Sequence, residues 1–410
     1  VFNSIRHREY DGSHLNFVGM NSDITLKEHQ KNAVARALYG GNTMLAHCVG
    51  AGKSYEMITI AMEGKRLGLH HKSLFAVPNS LTEQMGRDFK KLYPVANILV
   101  ATKKDFEPKN RKELFAKIAT GEWDAVIVGH SQFDRMGLSK ERMEKYMQTE
   151  IDSLRSELEE ARSTDGSKSF SVKEIERTIA RYEKRIKDDQ GKVAKDDYID
   201  FEEMGFDKIF VDECHLYKNL GTATKMSNVA GIGTTGSGKA AELLMKTKYL
   251  DEITGGKGLV FASGTPVSNS MTELYTMMRF LQTDLLKECD INHFDEWAAD
   301  FGEVKTDYEL KPESDGKYQL KTRFAKFTNL PELMGMFKEA ADVRTADTLD
   351  LEKPVSHVHE VVAQPSKIQR RLIKSLAKRA AKIRDGNVDP KEDNMLCVTN
   401  DGRKIGLDQR

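Results

Sequence analysis

Six short apolar runs recur through the first two thirds of the chain, with amphipathic stretches between most of them. The runs are Met44–Val49, Ser73–Val77, Asn97–Val100, Ala125–Val128, Lys208–Val211 and Leu259–Ala262. Strands that are apolar on both faces must be covered on both. That is the condition of a parallel sheet in an α/β fold. The stretches at 54–64, 80–92, 110–119 and 239–253 have helical periodicity and supply the covering layers. A further helix is predicted over Leu26–Leu38, stopped by Gly40-Gly41.

Residues 138–200 break this rhythm. Apolar positions at Met147, Ile151, Leu154, Leu158 and Ala161, and again at Val172, Ile175, Ile179, Tyr182 and Ile186, are spaced three and four apart on either side of a Gly/Ser-containing loop. Two such seams predict an antiparallel helical hairpin. We read it as a solvated spacer whose seam closes on itself, the sharper alternative being a lever or partner-docking arm. Beyond residue 282, helices are predicted near 294–300, 330–340 and 366–384, with Asp307–Gly316 as a polar loop. His70-His71 reads as a solvated helix end, and Trp123 and Trp297 as residues at domain edges.

Lys+Arg and Asp+Glu both number 63, so the formal net charge is zero. Any nucleic-acid contact must then come from a local patch or from backbone amides. Cys48, Cys214, Cys289 and Cys397 have no CxxC pairing, which points to a reducing cytoplasm without a disulfide frame or zinc site. No run reaches the ~18 consecutive apolar residues of a membrane span, so no membrane partner is expected. The chain begins Val1-Phe2 without Met, and the expectation is a piece of a longer protein.

The run Thr43–Val49 leads into Gly50-Ala51-Gly52-Lys53-Ser54-Tyr55 and then a helix. A strand, a glycine-rich turn and a helix N-terminus together offer backbone N–H groups and a dipole to phosphate oxygens. In that setting Lys53 reaches the β- and γ-phosphates of ATP, and the Ser54 hydroxyl holds Mg²⁺. The strict G-x-x-x-x-G-K-[ST] pattern wants Gly where His47 stands, so this loop alone also fits a plain glycine turn. Gly233–Ala240 formally satisfies G-x-x-x-x-G-K, but no apolar strand precedes it and Ala240 has no hydroxyl for a metal. It reads as a mobile linker before a helix starting near Lys239.

The run Lys208–Val211 ends in Asp212-Glu213-Cys214-His215. A carboxylate at a strand end beside a phosphate loop is where a Mg²⁺ ligand belongs, which assigns Asp212 to the metal with Ser54. Glu213 is placed to orient or deprotonate the attacking water, and His215 to couple the site to the next lobe.

With this box the chain resembles the DExH-box superfamily II ATPases, and its continuation through Lys218-Asn219 resembles the D-E-x-H-x-x-K-N signature of the Swi/Snf branch. Other motifs follow in family order. Leu26–Gln30 resembles the glutamine motif, which implies that Gln30 reads adenine. Phe75–Leu81 is similar to motif Ia, which implies that Pro78, Asn79 and Ser80 lie along a DNA strand. Ala262–Asn269 is similar to motif III, which implies that Ser263, Gly264 and Thr265 couple hydrolysis to movement. The resemblance covers about residues 20–282. The run Thr399–Gly402 through Arg410 is similar to large bacterial mobile-element proteins that join a DNA methyltransferase to a helicase.

The resemblance implies a RecA-like lobe. Residues 1–24 form a linker, 25–137 and 201–282 the two parts of the lobe, 138–200 the inserted hairpin, and 283–410 a mainly helical extension. That extension leads toward an absent second RecA-like lobe, since no Q-x-x-G-R-x-x-R stretch is present. The expected function is an ATP-binding motor lobe acting on double-stranded DNA, with ATP and Mg²⁺. The alternatives are a non-hydrolysing nucleotide-gated scaffold, or the motor part of a restriction or modification enzyme.

Overall fold

A computed structural model describes residues 9–165, 170–190, 199–222, 224, 226, 229, 232, 236–268, 270, 272–310, 318–349, 357–362, 364–385, 388–389 and 392–408. The chain divides between residues 351 and 352 into two compact units.

The first unit is built on strands β1 (Thr43–His47), β2 (Ser73–Val77), β3 (Ile98–Val100), β4 (Ala125–Gly129), β5 (Lys208–Asp212) and β6 (Leu259–Ala262). They pair in parallel in the order β3-β4-β2-β5-β6-β1, each apolar run of the sequence supplying one strand. Alternate residues face opposite layers. Phe75, Val77, Ile127, Phe210 and Val260 pack on α1 (Glu28–Tyr39), α2 (Lys53–Arg66) and α3 (Thr82–Leu92). Leu74, Ala76, Val126, Val128, Ile209 and Phe261 belong to the larger core on the other face. That core is covered by α4 (Pro108–Thr120), the short α5 (His130–Phe133) and further helices described below. This is the RecA-like parallel sheet expected from the run pattern, with both faces dry.

Helices α6 (Lys140–Asp165) and α7 (Phe170–Gln190) form the inserted hairpin. Ile151, Leu154, Leu158, Val172, Ile175 and Ile179 make a small apolar core of their own. Its base is anchored, however. Met143 and Tyr146 pack on the main core, and Arg142 bonds to Glu202 at 3.3 Å and Glu252 at 2.6 Å. A cavity of ≈ 500 Å³ lined by Tyr146, Tyr182, Lys248, Tyr275 and Arg279 lies beside this anchored base.

After β5 come α8 (Gly238–Thr254), α9 (Thr272–Leu281), α10 (Thr283–Glu288) and α11 (Phe294–Phe301). Ser237 caps α8 through its side chain, accepting from the Ala240 amide. Gly233–Thr235 of the second glycine loop lie outside the described residues. Residues 302–344 depart from the mainly helical expectation in detail. Strands β7 (Gly302–Leu310) and β8 (Tyr318–Phe327) pair antiparallel, taking in the start of the expected 307–316 loop, of which 311–316 are not described. After α12 (Leu330–Ala340), β9 (Ala341–Arg344) joins the main sheet beside β1, so the sheet draws a strand from beyond residue 282.

Two further details differ from the sequence reading. Trp297 is fully buried among Tyr275, Phe294, Phe301 and Phe324 rather than at an edge. His70 is buried against Gly64 of α2, and burial pushes its pKa down to about 4. His71 beside it stays exposed, bonded to Asp207.

In the second unit α13 (Lys367–Arg384) packs on α14 (Met395–Leu407). Arg379 joins them, making two bonds to Asp393 at 2.7 and 2.8 Å and one to Asp401 at 2.8 Å. Among the described residues no helix is long and apolar enough to cross a membrane.

Candidate nucleotide site

In a parallel sheet every strand delivers its following loop to the same edge, where α/β proteins bind ligands. The loops after β1, β5 and β6 therefore lie side by side, because those three strands are neighbours. They carry Gly50–Ser54, Asp212–His215 and Ser263–Thr265 respectively.

Gly50 and Gly52 have φ of 88° and 94°, the left-handed region that glycine enters without strain. The turn they make ends directly in α2, whose N-cap Gly52 has no side-chain cap. The first amides of α2 thus face the loop as donors, which suits a phosphate. A Cβ at Gly52 would meet the side-chain amide of Gln30 at 2.2 Å, so any larger residue there would also displace Gln30. Gln30 accepts from the Lys27 amide at 2.8 Å and directs Nε2 toward the Ala51 and Gly52 carbonyls at 3.4 and 3.3 Å. His29 bonds the Ala51 carbonyl at 2.9 Å. The glutamine motif thus braces the loop from α1. Lys53 rests on the carbonyls of His47 and Cys48, at 2.9 and 3.2 Å. Tyr55 packs partly into the core layer under α2.

His47, the departure from the strict phosphate-loop pattern, is fully buried between two carboxylates. Its Nδ1 is 3.0 Å from Glu56 of α2 and its Nε2 is 3.0 Å from Asp342 of β9. Burial alone would depress its pKa. The hydrogen bonds to Asp342 and Glu56 and their charges outweigh that and raise it to about 9. At neutral pH the ring is therefore an imidazolium, and it ties the strand before the loop to the helix after it and to the edge strand. Arg344 flanks Asp342 at 3.1 Å.

Asp212 ends β5 and is nearly buried. Burial and the neighbouring Glu213 push its pKa up to about 6, while the Glu213 amide, Lys53 and His215 pull the other way. Glu213 follows at φ 50°, a left-handed conformation uncommon for a residue with a side chain. Its carboxylate is 3.1 Å from His215 Nδ1, which is also 3.2 Å from Ser263 Oγ. Ser263 Oγ accepts from the Thr265 amide at 3.1 Å, and the Ser263 amide bonds the Leu45 carbonyl of β1 at 3.1 Å. Gly264 lies close to the loop, where a Cβ would stand 3.4 Å from Val49. A chain of contacts thus runs from Glu213 through His215 to the β6 loop and back to β1, the strand that leads into the glycine loop. Lys218 adds a second tie, 2.9 Å from Glu273 at the start of α9.

Pro78, Asn79 and Ser80 sit after β2, beside the acidic box because β2 neighbours β5. Asn79 Oδ1 accepts from the Ser131 amide and hydroxyl at 3.2 and 3.1 Å, joining this loop to the short helix α5 after β4. Asn79 and Ser80 are exposed. Cys214 is a buried core residue. The residues that sequence reasoning missed are Glu56 and Asp342, and it took Lys218 only as part of the signature, without its pairing to Glu273. The out-of-pattern His47 was the only signal for the first pair.

The donor set fits a Mg²⁺–nucleotide. Ser54 and Asp212 offer hard oxygen ligands, the glycine turn offers amides, and Lys53 is a cation held only by carbonyls. None of these residues lines the ≈ 500 Å³ cavity at the hairpin base.

The family described as a probable helicase domain matches residues 37–345. The Defense against restriction protein B of Escherichia phage P1 is 23% identical over 432 residues, covering 94% of this chain and 19% of the phage protein. The chain therefore spans well under two thirds of that relative. Two solved structures are also similar. One is the Sulfolobus solfataricus SWI2/SNF2 ATPase core in complex with dsDNA, at 15% identity and a TM-score of 0.42, covering 95% of this chain and 60% of that one. The other is the Sulfolobus solfataricus SWI2/SNF2 ATPase core domain, at 12% identity and a TM-score of 0.41, covering 98% and 61%.

Proposed function

The chain belongs to the probable helicase domain family, and we propose that it is the nucleotide-binding lobe of a DNA-dependent ATPase motor of the Swi/Snf-like branch. The observation that carries this reading is the convergence of Lys53, Asp212, Glu213 and Ser263 at one edge of the sheet, delivered by the three neighbouring strands β1, β5 and β6.

The amides of Gly50–Ser54 bind the phosphates of ATP, and Lys53 swings from the His47 and Cys48 carbonyls onto the β- and γ-phosphate oxygens. Ser54 and Asp212 would hold Mg²⁺, which would supply positive charge to offset that of the phosphates. Glu213 orients the attacking water and takes up its proton. His215, 3.1 Å from Glu213 and 3.2 Å from Ser263, passes the state of that carboxylate to the loop Ser263–Thr265. The exposed Pro78–Ser80 loop meets the DNA backbone.

Charge developing on the γ-phosphate also needs an opposing cation. An arginine finger contributes on the order of 10³–10⁵ in rate in other NTPases. The sequence holds no Q-x-x-G-R-x-x-R stretch, so we assign that arginine to a second RecA-like lobe. The name of the phage relative places that protein in defence against restriction, which favours a motor working inside a larger DNA-handling protein over a nucleotide-gated scaffold.

Phosphate release with and without duplex DNA tests the reading. Residues 1–410 alone are expected to bind Mg·ATP and turn it over very slowly, and a longer chain with the second lobe to gain DNA-stimulated turnover. Robust DNA-stimulated turnover by residues 1–410 alone would refute the one-lobe assignment.

A further inference from the structure

Helix α13 of the second unit carries Lys367, Arg370, Arg371, Lys374, Lys378, Arg379, Lys382 and Arg384 and no carboxylate. In a chain of zero net charge this is a pronounced local excess. At 100° per residue, six of these cations fall on one side. Lys367, Arg370, Arg371, Lys374, Lys378 and Lys382 follow the pattern i, i+3, i+4, i+7, i+11, i+15 and cover an arc of roughly 120°. All six are exposed, and none has a recorded ion pair among the described residues. Arg379 lies off this stripe and is engaged with Asp393 and Asp401.

Part of the opposite side of α13 packs on α14. Leu376 packs 3.6 Å from the position of a Cβ on Gly402, and Gln369 reaches the Ile405 carbonyl at 3.5 Å. The stripe is costly to the helix itself. Lys367/Arg371, Arg370/Lys374, Lys374/Lys378 and Lys378/Lys382 are like-charge i, i+4 pairs, each of which destabilises the helix. No acidic residue on the same helix offsets them. A polyanion would.

We propose that this face of α13 binds the phosphate backbone of duplex DNA, as a second contact separate from the Pro78–Ser80 loop. The stripe is about 22 Å long at 1.5 Å per residue. Duplex DNA presents a charge every ~1.7 Å of axis, so a stripe of that length runs beside on the order of a dozen phosphates. A membrane-surface helix would place its cations beside a free apolar face. Here the cations lie opposite the apolar side, and α14 covers the centre of that side at Leu376, leaving Ile368 and Ile373 about half exposed on its flanks. The choice of duplex DNA as the polyanion rests on the motor reading above; the existence of the site does not.

The test is fluorescence anisotropy of a labelled duplex with the full chain, without nucleotide, across a salt series. It compares the chain with Arg371→Gln/Lys374→Gln/Lys378→Gln. Glutamine keeps helix propensity, and circular dichroism checks that the fold is retained. Each lost phosphate contact lowers the slope of log K against log salt by about 0.9, so the triple variant should lose up to about 2.7 in slope and at least about tenfold in affinity near 0.1 M salt. Unchanged slope and affinity, or no duplex binding by the unsubstituted chain at low salt, would overturn the proposal. So would substitution-sensitive binding to phosphatidylserine vesicles without binding to duplex. Mg·ATP binding should be equal in the two proteins. The motor reading stands or falls on that binding through Lys53, so the two can fail separately.

Discussion

Replacing His47 by glutamine leaves Glu56 and Asp342 facing each other across a buried site with no cation between them. The ring's pKa rises from 6.5 to about 9 on folding, which at 1.36 kcal/mol per unit is about 3 kcal/mol of linkage. Because the folded value lies above the unfolded one, that stability is fully present below about pH 6.5 and is lost as pH rises through about 9. Breaking a buried ion pair by removing one partner costs roughly 3–5 kcal/mol, so His47→Gln should destabilise the first unit by that much near pH 7. The deficit should then shrink by about 3 kcal/mol by about pH 10, where the histidine of the unsubstituted chain is neutral too. Buried lysines complicate the raw pH profile. Burial lowers Lys208, Lys246 and Lys248 to about 8, and groups depressed in this way make stability rise with pH between about 8 and 10.5. The readout is therefore the gap between the two proteins at each pH, taken from urea unfolding followed by the fluorescence of Trp123 and Trp297. A gap that stays constant from pH 7 to 10, or widens, would refute the charged-histidine account.

Four further expectations follow from other contacts of the chain. Lys246→Met removes a buried cation that, among the described residues, hydrogen-bonds to the Phe133 carbonyl alone. It should stabilise the fold by about 1–3 kcal/mol near pH 7 and by less near pH 10.5, measured as the difference in unfolding free energy. Replacing the hairpin tip, residues 151–186, with a short Gly/Ser linker should leave the melting temperature of the lobe within about 2 °C. Tyr146→Ala at the anchored base should cost about 1–3 kcal/mol, since it strips a half-buried ring from the main core. In a two-lobed version of the chain, Glu213→Gln should retain Mg·ATP binding and lose phosphate release by at least about 10²-fold, the usual scale of a general base.

The sheet was legible because its strands are buried on both faces and therefore read as unbroken apolar runs. Residues 43–47, 73–77 and 125–129 need no tertiary information to be recognised. The edge strand β9 was not legible. Ala341-Asp342-Val343-Arg344 is short and half charged, and it becomes a strand only because β1 offers it a partner. The ribbon β7–β8 escaped for a related reason. Glu303, Lys305 and Asp307 give it no apolar face of the usual kind, and it contributes to the main core through Phe324, with Phe327 packed against that core. Within the site, the roles of Lys53, Ser54 and Asp212 are proposed from local patterns. What the patterns could not supply was the partner of His47, because Asp342 is 295 residues away. His70 was misread as solvated because two adjacent histidines at a helix end give no hint that one turns inward against Gly64.

The central claim is that Gly50–Ser54, with Asp212, is the nucleotide site. Isothermal titration of Mg·ATP into residues 1–410 tests it most directly, with Lys53→Ala and Lys239→Ala as the two variants. The account predicts saturable binding that Lys53→Ala abolishes and Lys239→Ala leaves intact. Equal affinity in the unsubstituted chain and Lys53→Ala, or loss through Lys239→Ala instead, would contradict it.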